Sequence, residues 1–235
     1  MSLILCIETA TSVCSVSLSK DGEVISFREV NEEKAHASQI TVFVSEILKK
    51  SGNTIKNLNA VAVSKGPGSY TGLRIGVSAA KGICFGLDIP LISVDTLYSM
   101  ALGFAEFHND FIENLKSENI LLCPMLDARR MEVYNQLVDL KYNIIRETQA
   151  EIIEPKSFDE YFKTHKIIFF GSGANKCKEI IANENAHFYP TFLNSAIFLA
   201  KIVEQKFLKQ QFENTAYFEP FYLKDFVAKV KNSIC

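Results

Sequence analysis

Apolar residues near the start of the chain alternate with small polar ones, then give way to a spacing of three and four, and the same switch recurs past residue 119. Leu3–Ile7, Val13–Leu18 and Val24–Val30 read as short strands. In the second, Cys14, Val16 and Leu18 alternate with Val13, Ser15 and Ser17, and Asp21-Gly22 marks a hairpin turn before the third. Ile40, Phe43, Val44, Ile47 and Leu48 then predict a helix over 36–50 that ends near Gly52. A strand at Ala60–Val63, a helix from about Thr71 to Phe85 and a strand at Pro90–Val94 follow. Asp95 is placed to cap a helix carrying Leu97, Met100, Ala101 and Phe104, so the first half reads βββαβαβα.

The second half repeats that order. Ile120–Leu126, Met131–Val138 and Ile144–Ile153 are strand-like, with a turn at Lys141–Asn143. A short helix around Phe158–Phe162, a strand at Lys166–Phe170, a helix over Ala174–Ala182, a brief strand at His187–Tyr189 and a helix over Ala196–Gln210 complete it. The polar run HNDFIENLKSE separates the halves. The expected layout is a lobe over 1–107, a connection over 108–118, a second lobe over 119–212 and a tail over 213–235 that packs back on a lobe. A three-stranded meander followed by αβαβα is a ribonuclease-H-like unit, and two in tandem make the duplicated, two-lobe α/β architecture of the actin-like (ASKHA) fold. A single doubly wound sheet is the competing arrangement, but it has no place for two hairpins.

Composition narrows the function. Among 235 residues, 48% are apolar and 22% charged, enough for a core and unlike a disordered chain. The net charge of −2, without a basic stripe, argues against strong autonomous RNA binding, which draws most of its affinity from phosphate neutralisation. Six cysteines, none in a C-x-x-C pair, read as buried free thiols of a reducing compartment. No basic leader and no run approaching about 20 apolar residues is present, so the expectation is a cytoplasmic chain without a membrane contact.

Several segments can carry chemistry. Glu8, Thr9, Thr11 and Ser12 stand at the first hairpin, where hydroxyls and backbone can hold phosphate and an acid can orient a metal. Equally, Glu8 can end a strand and the hydroxyls satisfy a turn. Gly66-Pro67-Gly68 precedes a helix capped by Ser69 or Thr71, an anion-site geometry without the Gly-Lys-Ser/Thr of a Walker A loop. Gly171-Ser172-Gly173 joins strand to helix in the second half, weak evidence for a nucleotide contact. Asp127 and Arg129 in MLDARRMEVY fit a cleft site or an internal ion pair. No histidines are spaced as helical metal ligands, so no metal site is expected.

Helix 71–86 carries glycines that each cost around 1 kcal/mol relative to alanine. Close approach of another element is the usual compensation. The reading places Leu73, Val77 and Ala80 inward and Gly72, Gly76 and Ala79 outward, beside helix 36–50 with its apolar residues on more than one face. Together His36, Ile40, Phe43, Ile47, Gly72, Gly76, Ala79 and Ile83 would form a surface for a partner.

IETATSVCSVSL, KGPGSYTGLRIGVSAAKGI, IPLISVDTLYSMA, LDARRMEVY and FYLKD, in this order, resemble the TsaB (YeaZ) family over nearly the whole chain. The resemblance implies a fold shared with TsaD, which catalyses threonylcarbamoyl transfer to adenosine in tRNA. It implies a non-catalytic scaffold or activating subunit that pairs with TsaD, works with the ATPase TsaE and the threonylcarbamoyl-AMP synthase, and forms homodimers through the same helices. No cofactor of its own is implied, with an ATP-derived nucleotide bound only at a partner interface. TsaD's two metal-binding histidines fall on Thr96 and Met100 here, neither an imidazole nor a hard ligand. A small-molecule kinase of the actin-like fold is the alternative. A glycoprotease-like peptidase is disfavoured for want of a nucleophile–base pair.

Overall fold

The computed structural model describes residues 1–32 and 36–223 and contains two five-stranded mixed sheets of identical topology. The first is built from β1 (Leu3–Glu8), β2 (Val13–Lys20), β3 (Glu23–Asn31), β4 (Ala60–Gly66) and β5 (Leu91–Asp95), ordered β3-β2-β1-β4-β5. The second uses β6 (Ile120–Asp127), β7 (Glu132–Asp139), β8 (Ile144–Ile152), β9 (Lys166–Phe170) and β10 (Ala186–Phe188), ordered β8-β7-β6-β9-β10. Each sheet pairs an antiparallel meander with parallel strands, β1 running parallel to β4 and β6 to β9. The duplicated two-lobe fold expected from the sequence is therefore the observed one. Asp21 and Gly22, at φ 50° and 85°, make the first hairpin turn.

The helices are α1 (His36–Lys50), α2 (Tyr70–Leu87), α3 (Thr96–Phe107), α4 (Asn109–Asn114), α5 (Asp159–Phe162), α6 (Ala174–Cys177) and α7 (Ala200–Leu208). Asp95 caps α3 as expected, its carboxylate accepting from Tyr98 N at 3.0 Å. The expected helix over Ala174–Ala182 is shorter: after Cys177 the chain continues in tight turns that carry Ile181 into the core. The polar connection contains α4, which forms because Ile112 buries against the cluster around Phe104. The tail runs back over the first sheet. Glu213 N donates to Leu91 O at 2.8 Å, Lys81 Nζ to Phe218 O at 2.9 Å and Phe221 N to Lys65 O at 2.7 Å. Tail positions past 223 lie outside the described residues.

The halves exchange their last helices. One face of the first sheet packs Leu5, Ile7, Val16 and Val63 against α1 and α2. Its opposite face, with Ile4, Cys6, Ala62 and Val94, is covered by Ala196, Leu199, Ile202 and Val203 from the chain's second half. Conversely α3 buries Leu97, Met100, Ala101 and Phe104 against Ile120, Leu122, Ile168 and Phe170 of the second sheet, with the Phe104 and Phe170 rings stacked at 4.2 Å. A polar seam fixes the register of this exchange. Ser17 Oγ donates to Ala196 O at 2.9 Å, Ala196 N to Ser15 Oγ at 3.0 Å, and Ser195 Oγ to Glu29 Oε2 at 2.6 Å. Among the described residues no helix is long and apolar enough to cross a membrane.

At Gly103 of α3 an added Cβ would lie 2.3 Å from the Phe198 ring, which is held between Phe107 and Phe192. Gly103→Ala gains helix propensity of about 1 kcal/mol but forces this contact apart at a larger cost. The expected net loss is about 1–2 kcal/mol in urea denaturation. An unchanged or raised midpoint would show that α3 and the 196–199 turn separate freely.

Candidate interface groove and interlobe cleft

Helices α1 and α2 lie side by side on the first sheet. Ile40, Val44, Ile47 and Leu48 of α1 and Leu73, Val77, Ala80 and Cys84 of α2 are buried against it. Between the helices, on the outer side, runs an apolar groove of about 810 Å³ lined by Thr41, Ser45, Ala79, Gly82, Ile83, Gly86 and Leu87 among others. Among the described residues, a Cβ added at Gly82 or Gly86 would meet nothing within 4 Å. Phe85, 89% exposed on the same helix, and Val42 on α1 stand uncovered near its rim.

This arrangement corrects the sequence assignment of the small residues. Gly72 and Gly76 face inward, not outward. A Cβ at Gly72 would sit 2.1 Å from Thr9 O and one at Gly76 2.2 Å from Thr9 Oγ1, because α2 crosses directly over the turn between β1 and β2. Ile40 and Ile47 are likewise core residues, buried by the sheet beneath them. His36 is buried too, its Nε2–H donating to Thr11 O at 2.9 Å, which ties the start of α1 to the same turn. Of the expected interface set, Phe43, Ala79 and Ile83 remain partly exposed, and Ile40, Ala79 and Ile83 line the groove, Ile40 at its floor. The spacing 79, 82, 83, 86 is itself a helical stripe of small and apolar residues. It was readable beside the competing stripe 72, 76, 80, but periodicity alone does not say which stripe meets the sheet.

On the other side of α2's start, a cleft of about 700 Å³ opens between the lobes. Its walls are the turn at 10–12, residues 67–71, the β6–β7 hairpin and Phe221–Leu223 of the tail. Thr11, Gly68, Asp127 and Arg129 line it; Glu8, Thr9, Gly66, Gly171 and Gly173 do not. Thr9 Oγ1 is committed to Gly72 O at 2.8 Å. Gly68 is pressed against Ala10 O, while Gly171 and Gly173 pack on the end of β6. Asp127 forms no ion pair with Arg129. Its Oδ1 accepts from Lys176 Nζ at 2.5 Å and from Arg129 N at 2.8 Å. Lys176, which no sequence motif singled out, also donates to the carbonyls of Arg130 and Glu132 at 2.8 and 2.7 Å.

The model of the family TsaD, tRNA N6-adenosine threonylcarbamoyltransferase, matches residues 29–232. This chain belongs to the TsaD family. Among TsaD-family proteins it is similar to the tRNA threonylcarbamoyladenosine biosynthesis protein TsaB of Haemophilus influenzae, 28% identical over 94% of this chain and 93% of that protein. TsaB of Escherichia coli is 39% identical over 56% of this chain and 52% of that protein. The solved structure of YeaZ from Pseudomonas aeruginosa superposes with a TM-score of 0.78 at 22% identity, covering 95% of this chain and 100% of that one, which agrees with the duplicated fold. The TsaB resemblance read from the motifs is thus the one the relatives carry. Thr96 and Met100, the positions that the resemblance matched to TsaD's histidines, are both buried, Met100 in the core between the sheets.

Glu8, the acid of the first hairpin, is fully buried and does not line the cleft. Its carboxyl accepts from Ala10 N at 2.6 Å and bonds the hydroxyl of Ser64. Burial pushes its pKa above the ordinary carboxylate value, against the opposing pull of those hydrogen bonds. The folded state therefore holds the proton more tightly than the unfolded chain does. Charged Glu8 costs stability above the unfolded value of about 4.3, and stability is lost as pH rises from there through the folded value. Glu8→Gln copies the protonated acid, so its thermal midpoint should fall less than the wild type's as pH is raised over that interval. Parallel curves for the two proteins would mean that Glu8 is charged at no cost.

Proposed function

We propose that this chain serves the synthesis of threonylcarbamoyladenosine in tRNA as a non-catalytic subunit that docks on TsaD through the α1–α2 groove. The named relatives are biosynthesis proteins of that pathway. The groove carries the docking part of the reading. It is apolar, and two of its lining residues are glycines that nothing in the chain's own packing requires. Each exposed helical glycine costs around 1 kcal/mol relative to alanine, and a helix from another polypeptide laid along the stripe would recover that cost through close packing. The same groove fits a second copy of the chain, so homodimer and TsaD pairing compete for one surface. In this reading TsaE associates with the paired subunits, and the threonylcarbamoyl-AMP synthase feeds them.

The non-catalytic part of the reading is supported by how the acids are used. Phosphoryl transfer needs a carboxylate free to position a metal or accept a proton. Glu8 is buried in a hydrogen-bonded niche, and Asp127 is neutralised by Lys176. Both are occupied in holding the fold.

Two glycine variants separate docking from folding. Gly82→Leu should fold with a thermal midpoint at or above the wild type's and lose affinity for TsaD by about tenfold or more, equivalent to about 1.4 kcal/mol, in a titration of the purified subunits. Gly76→Ala should lose about 1–3 kcal/mol of stability from collision with Thr9, whatever its affinity. Wild-type affinity for Gly82→Leu would place the TsaD contact elsewhere on the chain.

A further inference from the structure

Past α7 the chain runs as a strap over the first lobe, tied down every few residues. Ser93 Oγ donates to Glu213 Oε1 at 2.5 Å, Lys81 Nζ to the carbonyls of Ala216 and Phe218 at 3.2 and 2.9 Å, and Phe221 N to Lys65 O at 2.7 Å. At its end Tyr222 packs on the Tyr70 ring, centroids 5.0 Å apart, and its hydroxyl accepts from Arg74 Nε at 3.1 Å. The strap thus passes Lys81, then Arg74, then Tyr70, heading for the start of α2. Leu223 stands on the wall of the interlobe cleft. Residues 224–235, KDFVAKVKNSIC, therefore begin from a fixed point at the cleft mouth.

The opposite wall carries chemistry that matches this segment. Arg129 and Arg130 hold the tip of the β6–β7 hairpin at φ 72° and 50°, and Lys176 Nζ pins the turn through Asp127 and the carbonyls of Arg130 and Glu132. Both arginines line the cleft, and among the described residues neither guanidinium has a hydrogen bond or ion pair. Asp225 is the one acid of residues 224–235. It lies about 7 Å beyond Leu223 along an extended chain, and a cleft of about 700 Å³ would be only about 9 Å across if cubic, so its carboxylate is within reach of a guanidinium. Lys224 before it is opposite in sign to Glu132 on that wall, and Phe226 and Val227 after it suit the apolar lining of Leu126 and Tyr134. The α1–α2 groove is a poorer seat. To enter it the chain must double back over α2, and Lys49 on its lining repels Lys224, Lys229 and Lys231.

We propose that the occupant of the interlobe cleft in the lone chain is its own residues 224–235, an intramolecular lid that runs from the strap to the β6–β7 turn. Asp225 pairs with Arg129 and Arg130, joining the lobes across the cleft mouth, and Phe226 and Val227 close over the aromatic walls. Arginine and carboxylate make the stronger, charge-assisted kind of hydrogen bond. A segment tethered this closely also has an effective concentration in about the millimolar range, so one such pair and two apolar side chains suffice to seat it. Any other molecule that enters the cleft must first displace the lid. The lid is independent of docking at the groove: either can fail without the other.

The test is fluorescence of the whole chain. The sequence has no tryptophan, so Phe226→Trp places a single indole in the proposed seat. Its emission should be blue-shifted and shielded from acrylamide, equally at all protein concentrations. Adding Asp225→Arg, or separately Arg129→Asp/Arg130→Asp, should shift the emission to longer wavelength and raise quenching toward that of free indole. Aspartate accepts the left-handed backbone of this turn, so the hairpin variant keeps its fold. Combining the two reversals restores opposite charges and should restore the shielding. The proposal is overturned if the indole of Phe226→Trp alone behaves as free indole, if neither reversal alters its shielding, or if the combined variant leaves it exposed. Shielding that falls on dilution would overturn it too, by placing the segment in the cleft of a second copy.

Discussion

The position of Thr9 constrains much of this molecule. Its hydroxyl donates to Gly72 O, and its own atoms fill the space where side chains at 72 and 76 would be. Helix α2 can therefore lie directly on the β1–β2 turn, closer than any residue with a Cβ would permit. That approach sets the rotation of the helix about its axis. With 72, 76 and 80 turned toward the sheet, the stripe 79, 82, 83, 86 lies on the flank of the helix beside α1: Ala79 and Ile83 still touch the core, while Gly82 and Gly86 are exposed. The groove follows from the seat of the helix. His36 bonds the carbonyl of Thr11 in the same turn, so the start of α1 is located from the same point.

The exchanged helices give the lobes a shared stability. Each sheet has one face covered by its own half and the other by a helix from elsewhere in the chain. Removing either half would expose an apolar sheet face, which ordinary domains do not tolerate. The hydroxyls of Ser15, Ser17 and Ser195 are buried in the contact between β2 and the 196–199 turn, yet each is hydrogen-bonded, so these serines specify alignment without leaving a buried hydroxyl unpaired.

The order of elements was legible in the sequence because hydrophobic period switches from two to three or four at each strand–helix boundary, and two hairpins argued against a single doubly wound sheet. The Asp21-Gly22 turn and the Asp95 cap were local chemistry and were read correctly. What failed was non-local. A glycine spared for the chain's own packing and one spared for a partner look alike in a sequence, so Gly76 and Gly82 could not be told apart until Thr9 was placed. The cation that Asp127 meets was hidden for the same reason: the sequence left Asp127 and Arg129 as a cleft site or an internal ion pair, whereas Lys176 arrives from α6, 49 residues later, and donates to three acceptors. The exchange of α3 and α7 left no trace in periodicity, since a helix buries one stripe whichever sheet it meets.

The charges of the cleft give a consistent account of what such a fold can do once its acids are committed. An acid under the first hairpin and one at the β6–β7 turn are the groups that phosphoryl chemistry would recruit. Here Glu8 closes a niche between Ser64 and the backbone of Ala10, and Asp127 anchors Lys176. Arg129, Arg130, the hydroxyl of Ser69 and the positive end of α2 remain facing the cavity. The same helix that presents its start to that cavity presents its far half to the groove, along an axis of about 27 Å for its 18 residues. A docking partner would thus meet a rigid element that is seated at Thr9.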